Sequence, residues 1–169
     1  MRKTIQKLMG SLVATVALLA VPAIAADATG PAAEFNLQSR VGEAVSLSSL
    51  KGQVVLINFW ATWCGPCRKE MPLLEQIQKK YAPLGFTMLG VNVEEDTRLM
   101  EAFLKDVPVT FPILLDPANG VSKLYNVSAM PSTVIVDRKG NVRFIHQGYQ
   151  TGDESKYQDM IRQLIREKA

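Results

Sequence analysis

Residues 53–67 read QVVLINFWATWCGPC, and the reading of this stretch decides the fold. It opens with Val54, Val55, Leu56, Ile57 and Phe59, an apolar run bounded upstream by Gly52. It ends in Cys64 and Cys67, the only two cysteines of the chain, spaced C-x-x-C. A near-continuous apolar run of this length is the pattern of a central strand buried on both faces. A helix from Cys64 to Tyr81 should follow, with Leu73, Leu74, Ile77 and Tyr81 on one face. Pro66 suits the first turn, where its missing N–H would lack a partner anyway. Pro72 lies inside the helix, removes the bond to the Arg68 carbonyl and is expected to kink it.

Working outward, Phe35–Leu37 and Val45–Leu47 read as short strands with a turn around Gly42. Phe86–Val93 reads as a second central strand. Thr97–Val107 has helical spacing in Leu99, Met100, Phe103, Leu104 and Val107, with Asp96 as its N-cap. Phe111–Leu115 is a short extended segment, and Val121–Tyr125 one helical turn. Thr133–Asp137 and Val142–Gln147 flank Arg138-Lys139-Gly140 as a β-hairpin. The last helix should open with the capping box Thr151-x-x-Glu154 and bury Tyr157, Met160, Ile161, Leu164 and Ile165. Strands alternating with helices predict an α/β domain in which one sheet is covered on both faces.

The N-terminus is set apart by composition. Arg2, Lys3 and Lys7 precede an apolar run, Leu8–Val21, which Pro22 ends before Ala23-Ile24-Ala25. These are the three regions of a secretory signal peptide, with cleavage after Ala25. The run is short for a membrane span of roughly 20 residues, so an uncleaved anchor is the weaker reading. Residues 26–34 are read as a disordered lead-in and 35–169 as one domain. The chain carries +3, and removal of the three leader cations leaves 16 basic and 16 acidic residues. That balance argues against a nucleic-acid or membrane-surface partner. Export, with a bacterial periplasm as the leading address, brings oxidising conditions.

The cysteine pair has several readings. Zinc needs about four ligands, and besides the pair the chain offers one histidine, His146, itself read as a structural or surface residue. A structural staple across so short a loop removes little unfolded-state entropy. Thiolates also bind Cu(I), which keeps a copper chaperone open. A peroxidase would need an activating Thr and Arg, and Thr62 is present. The redox reading fits local geometry best. Helical residues i and i+3 lie about 5–6 Å apart, within disulfide range. The positive end of the helix favours the thiolate, which is the nucleophile. Cys64 should be exposed and attack, Cys67 should resolve, and Gly65 leaves the approach open. Trp60 reads as core and Trp63 as an apolar docking lip.

Asn58–Pro72, NFWATWCGPCRKEMP, resembles the active-site stretch of the thioredoxin superfamily. VSLSSLKGQVVLINFWATWCGPC together with LGVNVEED resembles its TlpA/ResA/DsbE branch of exported proteins, and the likeness runs from Phe35 to Gln163. The resemblance implies a thioredoxin-like fold, a central mixed β-sheet flanked by helices with short extra N-terminal strands. In SAMPSTVIVDRKG it implies a cis Met130-Pro131 facing the cysteines, so that Trp63, Gly65, Pro66, Met130 and Pro131 form the substrate-binding surface. Where thioredoxins place a buried aspartate this chain has Asn58, which cannot carry a proton. The branch directs attention to VNVEED, where Glu95 aligns best as the acid, needing apolar surroundings to raise its pKa.

The implied activity is that of a periplasmic thiol–disulfide oxidoreductase. It would reduce disulfides of client proteins, such as those of cytochrome c or copper-site assembly, and be recharged by a membrane dithiol donor. No cofactor beyond the Cys64–Cys67 disulfide is expected, nor a metal, and the protein is expected to act as a monomer. Gly65-Pro66, as in thioredoxin, points to the reducing end, about −270 mV against about −120 mV for the periplasmic oxidant.

Overall fold

The computed structural model describes residues 30–168. The expected signal segment, residues 1–25, lies outside the described residues. The elements are β1 (Gly30–Pro31), β2 (Asn36–Gln38), β3 (Ala44–Ser46), β4 (Val54–Trp60), α1 (Gly65–Tyr81), β5 (Phe86–Asn92), α2 (Arg98–Asp106), β6 (Ile113–Leu115), α3 (Gly120–Leu124), β7 (Ser132–Val136), β8 (Asn141–Gln147) and α4 (Asp153–Arg166). Among them the sheet runs β1-β8-β7-β4-β5-β6, with β2 and β3 as a separate antiparallel pair. β4, β5 and β6 are parallel, while β7 and β8 run antiparallel to their neighbours. This is the mixed, helix-flanked sheet of the expected thioredoxin-like fold.

β4 shows why its apolar run has no polar face. Val54, Leu56 and Trp60 enter the cluster under α1, α2 and α4, whereas Val55, Ile57 and Phe59 enter the cluster on the other side. Successive strand residues point to opposite faces, so Asn58 is forced onto the α1 side among Leu56 and Trp60. The same row continues across the sheet: Asn58 pairs with Thr133 of β7, and Thr133 with His146 of β8. Gly90 lies on the other flank of Asn58.

Several expectations change. The lead-in is part of the fold from Gly30 onward: β1 pairs with β8, Ala32 N–H donates to the Gly140 carbonyl at 2.9 Å, and Ala32 and Ala33 pack on the core. α1 does keep its expected extent with Pro72 inside it, and Arg68 and Pro72 face solvent, where water can take the freed carbonyl. Leu73 is half-buried, while Glu75 is buried and accepts the Thr110 N–H at 2.8 Å. Leu99 is exposed, and Met100, Phe103 and Leu104 carry the buried face of α2. The Thr151 capping box does not form: Gly152 is the N-cap of α4, with φ 104°, and Glu154 accepts the Gly152 N–H at 3.0 Å. The Asp153 carboxylate meanwhile takes the Gln150 N–H at 2.8 Å.

Candidate active site

The buried strand β4 ends at Trp60, and the chain must turn before α1 begins. Glu94, just past β5, fixes that turn. Its carboxylate accepts from the Thr62 N–H at 2.9 Å, the Thr62 hydroxyl at 2.6 Å and the Asn92 amide at 2.9 Å. Cys64 is the N-cap of α1, and its Sγ accepts the Cys67 N–H at 3.2 Å. The two sulfurs form a disulfide, with a Cα–Cα distance of 5.3 Å.

The two cysteines are not equivalent. A groove of about 500 Å3 is lined by Trp63, Cys64, Pro66, Val127, Ser128, Ala129 and Met130. Cys67 is absent from that lining and sits 1% exposed in the interior. Cys64 is only 5% exposed, less open than expected, because Trp63, 69% exposed, and the 127–130 loop stand beside it. The Met130–Pro131 peptide is cis, and Met130 faces Cys64 across the groove. Gly65 follows at the first position of α1, and beyond its chain neighbours and the helix's own backbone nothing lies within 4 Å of where a Cβ would stand. Trp60 is buried against Phe103, ring centroids 5.7 Å apart.

The buried carboxyl nearest Cys67 on α1 is one the sequence reading did not single out. Glu95 is exposed, so the apolar surroundings its expected role requires are missing. Glu70, 0% exposed, has them. It lies three residues beyond Cys67, one turn along the same face of α1. Its Oε2 accepts the Asn58 amide at 3.0 Å, and the same amide donates to Thr133 Oγ1 at 3.0 Å. Burial pushes the Glu70 carboxyl up to about 7, with the Tyr157 and Asn58 side chains pulling the other way and the Asp153 and Glu154 charges adding to the rise. The polar side chain on the strand is thus an amide, and the titratable group comes from the helix above it. The signal was present in the sequence: CRKEM sets a carboxylate at i+3 from Cys67, between two positions of the buried face.

His146, expected to be structural, is half-buried, and its Nε2 lies 2.9 Å from Asp153 Oδ2. Arg68 and Lys69 face solvent, Arg68 lying over the Phe103 ring at 5.4 Å. Among the described residues no helix is long and apolar enough to cross a membrane.

The chain is similar to known proteins. The sequence profile of the family Redoxin matches residues 25–161. The chain is 44% identical over 126 residues to the thioredoxin-like protein YneN of Bacillus subtilis, covering 73% of each. It is 36% identical over 132 residues to the thiol-disulfide oxidoreductase ResA of Geobacillus kaustophilus, covering 78% of this chain and 75% of that protein. Among solved structures, a candidate thiol:disulfide interchange protein DsbE from Chlorobium tepidum superposes with a TM-score of 0.78 at 36% identity, covering 82% of this chain and 98% of that one.

Proposed function

Because the chain belongs to the Redoxin family and is a thiol–disulfide oxidoreductase, we propose that it is exported and acts as a dithiol reductase of client protein disulfides. The observation that carries this reading is that Cys64 lines the groove and Cys67 does not. A client disulfide laid between Trp63 and the 127–130 loop meets one sulfur only. The Cys64 thiolate attacks, a mixed disulfide forms, and the first client sulfur leaves as thiolate. The Cys67 thiol then gives its proton to Glu70 and attacks Cys64 Sγ. The second client thiolate leaves, and the Cys64–Cys67 disulfide remains. Two electrons have passed to the client, whose thiolates take protons from water. A dithiol donor at the membrane returns two electrons to the pair, and Cys67 recovers its proton as it is reduced.

Glu70 is the proton acceptor in this scheme because it is buried beside Cys67 and titrates near neutrality. A group with its pKa near the working pH exchanges protons in both directions at low cost. Trp63, Pro66 and the 127–130 loop form the binding surface, with exposed Gly65 beside it and buried Pro131 shaping the loop from within; the groove lining carries no charged side chain and therefore suits an extended, uncharged client segment. Residues 1–25 serve as the export signal. Clients in the assembly of cytochrome c or of copper sites follow from the resemblance.

The deciding experiment is the equilibrium reduction potential against a glutathione series, together with the redox state of the pair in cells. A potential closer to −270 than to −120 mV, with the pair held reduced, is expected. A potential near −120 mV with an oxidised pair would reverse the direction of electron flow.

A further inference from the structure

Glu70 is served by a second element that the sequence offers no reason to connect with the cysteines. Tyr157 of α4 is fully buried. Its hydroxyl has no hydrogen-bond partner among the described residues, and neither has the remaining carboxylate oxygen of Glu70, Oε1. A buried polar atom left without a partner is costly. Here two such atoms, one a donor and one an acceptor, occur in the same interior, and each group perturbs the other's titration. Thr133, already bonded to Asn58, is the third member: it stands opposite His146 in the β7–β8 ladder, and the His146 ring packs on Tyr157. The Tyr157 ring is held edge-on to Phe144 and His146, with centroids 5.9 and 5.8 Å away, which fixes where the hydroxyl sits.

We propose that Tyr157 is a positioning residue for the exchange reaction: its phenol donates to Glu70 Oε1 while Asn58 holds Oε2, so that the two together set the proton affinity of the acid that serves Cys67. The two partners act differently. The Asn58 amide N–H can only donate, so it favours the carboxylate. The phenol donates to the carboxylate and accepts from the protonated acid, so it accompanies Glu70 through both states. The bond to the charged form is the stronger of the two. Removal of the phenol therefore raises the proton affinity of Glu70. The other groups facing this carboxyl are Asp153 and Glu154 at the start of α4 and Tyr149 before it. Asp153 is itself paired with His146 and Lys156, and Cys67 lies on α1 itself.

The inference rests on the role given above to Glu70, and the test keeps the two apart. The protonation of Glu70 is followed against pH by carbon-13 NMR of labelled glutamate, assigned by loss of the signal in Glu70→Gln. In Tyr157→Phe, which keeps the ring contacts, the midpoint should rise by about one pH unit. The pH dependence of client release should move with it. Fluorotyrosine incorporation, which makes the phenol a stronger donor without changing the packing, should lower the midpoint, and it serves if Tyr157→Phe does not fold. A purely structural Tyr157 would alter the melting temperature and leave the midpoint in place, and that result overturns the proposal. A Glu70 that titrates as described but whose Gln variant releases clients at the wild-type rate would overturn the proton-acceptor role instead.

Discussion

Glu70 and Cys67 lie one helical turn apart on the buried face of α1, the carboxyl 0% and the sulfur-bearing residue 1% exposed. Neither is open to solvent, so a proton leaving Cys67 has a group beside it that can take it. Glu70→Gln should slow release of the mixed disulfide by about 100-fold or more, in the range of a lost general base. It should also flatten the pH dependence around neutrality. Glu95→Gln, at an exposed position, should leave both unchanged. Stopped-flow release measured from pH 5 to 9 compares the two variants, and a pH profile altered only by Glu95→Gln would return the role to the segment after β5.

The same carboxyl carries a stability signature. Its folded-state pKa, about 7, lies above the ordinary 4.5. Folded protein therefore holds the proton more tightly than unfolded protein. The stabilising contribution is complete below pH 4.5 and is lost as pH rises through 7. Oxidised Glu70→Gln should gain on wild type between pH 5 and 8, by up to about 3 kcal/mol at the upper end. Urea unfolding at both pH values reads this, and a constant difference would contradict the sign.

Cys67→Ser should accumulate covalent adducts with client proteins through Cys64, because a serine hydroxyl cannot displace the client thiolate. Cys64→Ser should accumulate none, since the remaining sulfur lies behind the groove. Non-reducing gels distinguish these outcomes, and adducts through Cys67 would invert the order of attack.

Trp63 is 69% exposed at the lip of the groove. Trp63→Ala should weaken a protein client by about tenfold, as expected of an aromatic anchor. Its stability should change by no more than about 0.5 kcal/mol. Reaction with a small dithiol should be unaffected, so a parallel loss of both activities would count against the docking role.

Gly90 sits where β5 passes under Trp60. A Cβ there would stand 2.8 Å from Ile113 Cδ1, 3.0 Å from Phe111 Cε2 and 3.3 Å from Trp60 Nε1. Gly90→Ala should cost about 1–3 kcal/mol by overpacking. Denaturant titration measures it, and a neutral result would mean that Ile113 and Phe111 yield freely.

Much of this molecule could be read in its sequence, for physical reasons that differ by element. β4 and β5 announce themselves because strands buried on both faces have no polar alternation to blur them. The hairpin of β7 and β8 follows from Arg138-Lys139-Gly140 between two β-rich runs. The C-x-x-C pair was legible as a disulfide because both cysteines and the helix start fall within four residues of the chain. Glu70 was not found, although it is adjacent in sequence, because charge suggests a solvated face until the strand beneath is known. Only the β4 register, which turns Asn58 towards α1, shows that a carboxyl there is enclosed. Tyr157 was legible as core, but its hydroxyl acquires a task only once α4 is placed over Asn58 and Thr133. The N-terminal strand β1 was missed because Gly30-Pro31 has no strand propensity, and it is recruited by the edge of β8.

The lateral offset of the two sulfurs separates capture from discharge. Whatever docks can influence when its own bond to Cys64 is made, through its shape and its fit to the groove. It has no direct access to Cys67 and Glu70, which lie on the buried face of α1. The lifetime of the joined pair is therefore set from two sides, by the interior that readies Cys67 and by how readily the client thiolate leaves.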